Sequence, residues 1–64
     1  MNNPTINQAS AIDAVRNGHG RMIHADDQCE EYSVTVGYSV WLVTYFVADG
    51  TYIAENANDL ARQG

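Results

Sequence analysis

Hydrophobic residues are concentrated in one stretch, YSVWLVTYFV at residues 38–47, which is almost unbroken in apolar and aromatic character. It is bounded by Gly37 on one side and by Asp49-Gly50 on the other. Such a run between turn-forming residues is consistent with a strand that is buried on both faces. Because the chain has only 64 residues, its sequence raises the question of what covers the second face.

Two further strands are predicted upstream of this stretch. In YSVTV, residues 32–36, apolar and hydroxyl side chains alternate strictly, which is typical of a half-buried strand. HGRMIHA, residues 19–25, predicts a short edge strand, and DDQCEE, residues 26–31, predicts an acidic loop between the two strands. Gly37 marks either a turn or a bulge.

A hairpin is predicted downstream, because Asp49-Gly50 between two β-forming segments favours a two-residue type I′ turn. This register pairs Val47 with Tyr52 and Phe46 with Ile53. Both faces of the resulting hairpin are apolar. One face collects Val40, Leu42, Phe46 and Ile53. The other face collects Trp41, Val43, Tyr45, Val47 and Tyr52.

Helices are predicted at both ends of the chain. TINQASAIDAVRNG, residues 5–18, has a helical apolar period and a stop at Asn17-Gly18. Its inward face is formed by Gln8, Ala11, Ile12 and Val15. NANDLARQG, residues 56–64, predicts a short C-terminal helix with Asn56 as its N-cap. The expected fold is a single α+β domain over residues 1–64: N-terminal helix, three- to four-stranded antiparallel sheet, short C-terminal helix.

Two thin helices can cover one face of such a sheet but hardly both. We expect them to cover the face that carries Leu42. The other face, with Trp41, Tyr45 and Tyr52, is then left exposed. Tyrosine and tryptophan are enriched where binding energy concentrates, so this face predicts a docking surface for a second copy or another protein. The alternative is that a bend at Gly37 folds the sheet over its own aromatic face.

Charge excludes one class of ligand. Eight carboxylates outnumber three arginines, the chain contains no lysine, and the net charge is −5. Direct binding of nucleic acid depends on Lys and Arg displacing counterions from phosphates, so we expect none here. The same negative field attracts basic surfaces, many of which belong to proteins that handle nucleic acids. The alternative is that the charge only keeps the protein soluble.

Half of the carboxylates lie within six residues, at Asp26, Asp27, Glu30 and Glu31. Alternate residues of an extended chain lie about 6.6 Å apart, which is comparable with the spacing of phosphates along one nucleic-acid strand. Such a row can occupy an arginine-lined groove, and the alternative is a solvated loop that prevents aggregation. The predicted partner-binding residues are this charged set together with the anchors Trp41, Tyr45 and Tyr52.

The candidates for chemistry are His19, His24 and Cys29, at five-residue spacing. Structural zinc sites usually carry paired ligands at both ends of the motif, and only one such end is present, so a metal-dependent domain is kept only as an alternative. A nucleophile–base pair of Cys29 and a histidine has little room for a pocket that excludes water. We therefore expect no enzyme, no cofactor and no metal.

The cysteine content and the lengths of the apolar runs bear on where in the cell the protein is found. Cys29 is the single cysteine, which suits a reducing compartment. The first ten residues lack the basic and apolar regions of a signal peptide, and no apolar run approaches the roughly 18 residues that span a bilayer. We expect a cytoplasmic protein, in the host cell if it is phage-encoded, that contacts no membrane.

In size, acidity, absence of lysine, lone cysteine and aromatic sheet, the chain resembles the very small acidic proteins of bacteriophages and mobile elements, including anti-CRISPR and other anti-defence inhibitors. The resemblance implies a single α+β domain that acts by binding, in some cases as a dimer, and assigns no role to a particular residue. The order of elements also resembles the double-stranded-RNA-binding layout. However, the C-terminal segment carries only Arg62 where such domains have a basic helix.

The leading hypothesis is a non-enzymatic phage or mobile-element inhibitor that blocks a host protein with a basic, nucleic-acid-handling surface. We expect it to be a homodimer, formed through the aromatic sheet face or an edge strand. The alternatives are a self-associating structural or assembly module without a host target, and a small metal-dependent domain.

Overall fold

The computed structural model describes residues 6–57. Its elements are α1 (Ile6–Arg16), β1 (Arg21–Ala25), β2 (Cys29–Val36), β3 (Ser39–Phe46) and β4 (Thr51–Asn56). The strands form one antiparallel sheet in the order β1-β2-β3-β4, and α1 packs on β2, β3 and β4. This confirms an α+β fold with an N-terminal helix and a four-stranded antiparallel sheet. Of the predicted C-terminal helix, residues 58–64 lie outside the described part of the chain.

α1 packs against the sheet through the face that its apolar period predicts. Ala11 is fully buried, and Ile12 and Val15 pack around it against the core. Gln8 lies on the same face, where its Nε2 donates a hydrogen bond of 3.3 Å to the carbonyl oxygen of Ala54 in β4. The short, thin stripe is sufficient because it has only one face of the sheet to cover.

The end of α1 is also confirmed at Asn17-Gly18. Gly18 adopts a φ of 84°, in the left-handed region that favours glycine. The backbone N–H of Gly18 donates to the carbonyl of Val15 at 3.0 Å, and that of His19 donates to the carbonyl of Ala14 at 2.8 Å. This pair of bonds is a Schellman motif, and it turns the chain from the helix into β1.

β2 begins at Cys29, so the prediction of a loop over residues 26–31 is wrong. The Asp26 side chain closes a short turn instead, because its Oδ1 accepts the backbone N–H of Gln28 at 2.7 Å and of Cys29 at 2.9 Å. The Asp26 N–H also donates to the carbonyl of Cys29 at 2.9 Å. With the turn closed this early, residues 29–31 are free to pair with the end of β3.

Gly37 belongs to a turn. Val36 pairs with Ser39, which leaves Gly37-Tyr38 as a two-residue connection between β2 and β3. Gly37 has a φ of 62° and Tyr38 has a negative φ, which is the pattern of a type II′ hairpin turn with glycine first. The Tyr38 side chain at this turn is fully exposed.

The predicted type I′ turn at Asp49-Gly50 is wrong. Phe46 pairs with Thr51, where the prediction paired it with Ile53, so the register differs by two residues and the loop is Val47–Gly50. The loop is closed by a hydrogen bond of 2.8 Å from the Gly50 N–H to the Phe46 carbonyl, and Gly50 takes a left-handed φ of 69°. Side chains alternate with a period of two, so a shift of two leaves each of them on its predicted face.

The helix covers the opposite face from the one that we expected. Trp41 and Val43 are 7% and 0% exposed beneath α1, whereas Val40 and Ile53 are 40% and 46% exposed on the other side. The division of the hairpin side chains between two faces is therefore correct, and the choice of the covered face is wrong. The prediction that Trp41 is an exposed anchor is therefore also wrong, because its side chain is buried.

β2 explains this choice. Val34 pairs with Trp41, and Ser33 pairs with Leu42, so the apolar side of β2 shares a face with Trp41 and its hydroxyl side shares a face with Leu42. Paired residues in an antiparallel sheet lie on the same face. Once β2 is added to the hairpin, the Trp41 face is the more apolar of the two, and burying it removes more apolar area from water.

We call the surface of the sheet that points away from α1 the open face. Its residues follow from the strand register. They are Arg21, His24, Cys29, Glu31, Ser33, Thr35, Val40, Leu42, Thr44, Phe46, Thr51, Ile53 and Glu55. Within residues 6–57, α1 is the one helix, and no described helix is long and apolar enough to cross a membrane.

The matched valines of β3 test the assignment of the faces. We expect Val43→Ala to reduce the free energy of unfolding by about 2–3 kcal/mol, because it opens a cavity at a fully buried site. Val40→Ala, on the open face of the same strand, should cost less than about 1 kcal/mol. Urea denaturation of dilute protein followed by far-ultraviolet circular dichroism measures both. Equal losses would contradict the burial of one face only.

Candidate functional site

Two turns bring carboxylates to one end of the sheet. In an antiparallel meander, the β1–β2 and β3–β4 connections lie at the same end. We call this end the acidic tip and define it by residues 26–28 and 47–50, which include Asp26, Asp27 and Asp49. The Val47–Gln28 hydrogen bond joins the two turns. The tip borders an open cleft of about 740 Å³, whose floor includes Cys29 and Phe46.

Asp26 has a structural task within the tip. Its Oδ1 accepts the two backbone N–H groups of the turn, and its Oδ2 lies 3.1 Å from Nε2 of His24. The bonds from Gln28 and Cys29, followed by the contact with His24, lower the pKa of Asp26 to about 2. Asp26 is therefore ionised at neutral pH and held in place, and both Asp26 and Asp27 are exposed to solvent.

Glu30 and Glu31 point to opposite faces, since they are successive residues of β2. Glu30 lies on the side of α1 and accepts a hydrogen bond of 2.7 Å from the Tyr32 hydroxyl. This bond is the main cause of a raised pKa at Tyr32, and desolvation adds to it. Glu31 lies on the open face opposite Thr44. The four carboxylates therefore do not form one continuous row, and their role as a charged contact set stays a prediction.

Three of the predicted binding residues do come together. Glu30 pairs with Tyr45, and Tyr45 pairs with Tyr52, so the three form a row across the sheet on the side of α1. The two tyrosine rings are in contact, with centroids 4.8 Å apart and planes inclined at 40°. All three side chains are half-buried. We call this the tyrosine row, and it lies directly next to the acidic tip.

Trp41 lies apart from the tyrosine row. It belongs to the buried core, near the opposite end of β3. Its indole N–H is buried and has no hydrogen-bond acceptor within the described part of the chain. Trp41 therefore contributes packing volume to the fold and offers almost no surface to a partner.

Asp49 is the residue of the tip that sequence reasoning missed. In the sequence, Asp49-Gly50 was interpreted only as a turn, so the charge of Asp49 was not considered as part of a site. Its position beside Asp26 and Asp27 depends on the contact between two turns that are about twenty residues apart in the chain. The charge of the exposed turn residue was the available signal.

The candidates for chemistry are dispersed or occupied. Desolvation and the negative charges of Asp26 and Glu31 raise the pKa of the Cys29 thiol, which keeps it protonated and a poor nucleophile. His24 is bonded to Asp26. Among residues 6–57, no group of three or more His, Cys, Asp or Glu side chains is arranged to hold a metal ion.

Comparisons with protein-family models, with curated proteins and with solved structures found no match to this chain.

The lowered pKa of Asp26 predicts a pH dependence of stability. A carboxyl whose folded pKa of about 2 lies below its ordinary value of 3.8 stabilises the fold above that ordinary value. The stabilisation is lost as the pH falls from about 4 to about 2. Asp26→Ala should therefore lower the urea midpoint at pH 7. In this variant the midpoint should also decrease less between about pH 4 and about pH 2 than in the unmodified chain. Asp27→Ala, at the exposed neighbour, should leave both properties close to those of the unmodified chain. Equal behaviour of the two variants would contradict the role of Asp26.

Proposed function

We propose that this protein acts without catalysis, by binding a basic, nucleic-acid-handling surface of another protein and blocking it. Action by binding is also what the resemblance in composition to phage and mobile-element inhibitors implies. The observation that carries the proposal is the convergence of carboxylates from two separate turns at the acidic tip, next to the tyrosine row.

The charges of the acidic tip suit a basic partner. Asp27 and Asp49 are exposed and sit on short turns, so little conformational freedom is lost when they pair with arginine or lysine. Asp26 adds a third charge that is already fixed by backbone hydrogen bonds. A net charge of −5 attracts a basic surface over a longer range and raises the association rate.

The tyrosine row supplies contacts of a second kind. Tyr45 and Tyr52 are half-buried and in contact with each other, so they present rigid ring surface at a small cost in conformational entropy. Arginine guanidinium groups stack on such rings, and the adjacent Glu30 carboxylate can accept their hydrogen bonds. A basic protein surface therefore meets charge and aromatic surface at the same end of the sheet.

Other ligand classes fit less well. A nucleic acid would meet carboxylates at the tip, and the whole chain offers three arginines and no lysine for phosphate contacts. A substrate in the cleft would meet a protonated Cys29 thiol. The lone thiol suits the reducing cytoplasm, which is where the proposal places the encounter with a host protein.

Charge reversal at the tip tests the proposal. The probe is the fraction of bacterial lysate that binds heparin, applied to immobilised protein and then eluted with duplex DNA or RNA. We expect basic proteins to be retained and to be displaced by nucleic acid, because both compete for one surface. Asp27→Lys or Asp49→Lys should lower the association rate of a retained protein roughly tenfold and flatten its salt dependence.

Asp13→Lys is the matched control, since Asp13 is an exposed aspartate on α1 far along the chain from the tip. It changes the net charge by the same amount and should leave binding nearly unchanged. If Asp13→Lys weakened retention as much as Asp27→Lys, the column would be acting as an ion exchanger. That outcome, or retention that nucleic acid does not disturb, would contradict the proposal.

A further inference from the structure

We propose that the open face is the interface of a symmetric homodimer, in which two copies pack face to face about a two-fold axis parallel to the strands, between β2 and β3. This inference concerns a surface that the proposed function does not use. It rests on the way in which charge and side-chain size are distributed across the rows of the sheet.

One row of the open face carries opposite charges at its two ends. Arg21 pairs with Ser33, Ser33 pairs with Leu42, and Leu42 pairs with Glu55, so these four residues cross the whole sheet in a line. Three strand spacings place the ends about 14 Å apart, which is too far for a direct ion pair within one copy. Neither Arg21 nor Glu55 has an ion-pair partner among residues 6–57.

A two-fold axis parallel to the strands reverses this row without changing its height along the strands. β1 of one copy then lies over β4 of the other. Arg21 faces Glu55 of the second copy at one edge, and the same pair recurs at the other edge. Packed sheets lie about 10 Å apart, a distance that an arginine and a glutamate side chain can bridge together.

The same axis matches large side chains with small ones. On the open face, the paired residues of β2 and β3 differ in size at two levels. These pairs are Cys29 with Phe46 and Ser33 with Leu42, whereas Thr35 and Val40 are close in size. The axis places β2 of one copy over β3 of the other, so each large side chain of β3 lies over a small side chain of β2. Facing layers that alternate in this way interdigitate. At the level between these two pairs, Glu31 of each copy lies over Thr44 of the other, whose hydroxyl can donate to the carboxylate.

The edges of the sheet are less suited to self-association. β1 contains a bulge between Met22 and His24, which disrupts the pattern of exposed backbone groups that a second strand would need. At β4, the carbonyl of Ala54 is already occupied by the side chain of Gln8. The open face is therefore the surface through which a second copy would bind.

Charge reversal at the two ends of the row tests both the interface and its axis. Arg21→Glu and Glu55→Arg should each place like charges together twice per dimer, and each should weaken dimerisation at least tenfold, in a rough expectation for close charge pairs. Mixing the two single variants creates two attractive pairs in a heterodimer. The mixture and the double variant R21E/E55R should both recover association to within about threefold of the unmodified chain. Sedimentation equilibrium over a range of concentrations measures each constant.

The controls are Arg16→Glu and Asp13→Arg, which make the same changes of charge at exposed positions of α1 and should leave the dimer intact. Circular dichroism checks that each variant is folded. An unmodified chain that stays monomeric at every concentration would overturn the proposal and leave the open face to a different protein. The proposal would also be overturned if the charge reversals left the dimer association constant unchanged. The same holds if the mixture of the two single variants did not regain association.

Discussion

The two-residue turn at Gly37-Tyr38 sets the arrangement on which the rest of the molecule depends. By pairing Val36 with Ser39, it places Val34 beside Trp41 and Ser33 beside Leu42. That register decides which face of the sheet is the more apolar, and the more apolar face takes the only described helix. A register shifted by one residue would put the hydroxyl side of β2 beneath α1, so the fold needs the left-handed φ that glycine supplies at this turn.

The same register determines where the candidate site residues lie. It sets Glu30 beside Tyr45 on one face, Glu31 beside Thr44 on the other, and Cys29 beside Phe46 at the floor of the cleft. A run of acidic residues that looks continuous in the sequence is thus divided among three environments. The tip carries Asp26 and Asp27, and a second turn adds Asp49 to them. One small sheet therefore presents a charged end and, separately, an open face on which polar and apolar side chains are mixed.

Local patterns in the sequence were sufficient for the elements that depend on neighbouring residues. The inward face of α1 and its stop at Asn17-Gly18 follow from helical periodicity and from glycine chemistry, and the alternation in β2 identifies its two sides. The prediction of a two-residue turn at Asp49-Gly50 was wrong, because the chain closes there through a four-residue loop in which the Gly50 N–H donates to the Phe46 carbonyl. A two-residue signal cannot include such a contact.

The covered face could have been predicted, because the alternation of β2 and a tight turn at Gly37 together place Val34 with Trp41. The hairpin alone gives two apolar faces and no means of choosing between them. The candidate site was less accessible to prediction. Glu30, Tyr45 and Tyr52 were identified as residues, but their meeting in one row depends on the register of three strands, and the position of Asp49 depends on two turns.

The burial of Trp41 has a practical consequence. It is the chain's single tryptophan, it lies in the core beneath α1, and it is remote from both the tip and the surface of the open face. Its fluorescence therefore reports whether the helix stays seated on the sheet. Ligands that dock on the finished exterior should leave the emission maximum where it is, and a shift toward longer wavelength would signal that the helix has lifted away.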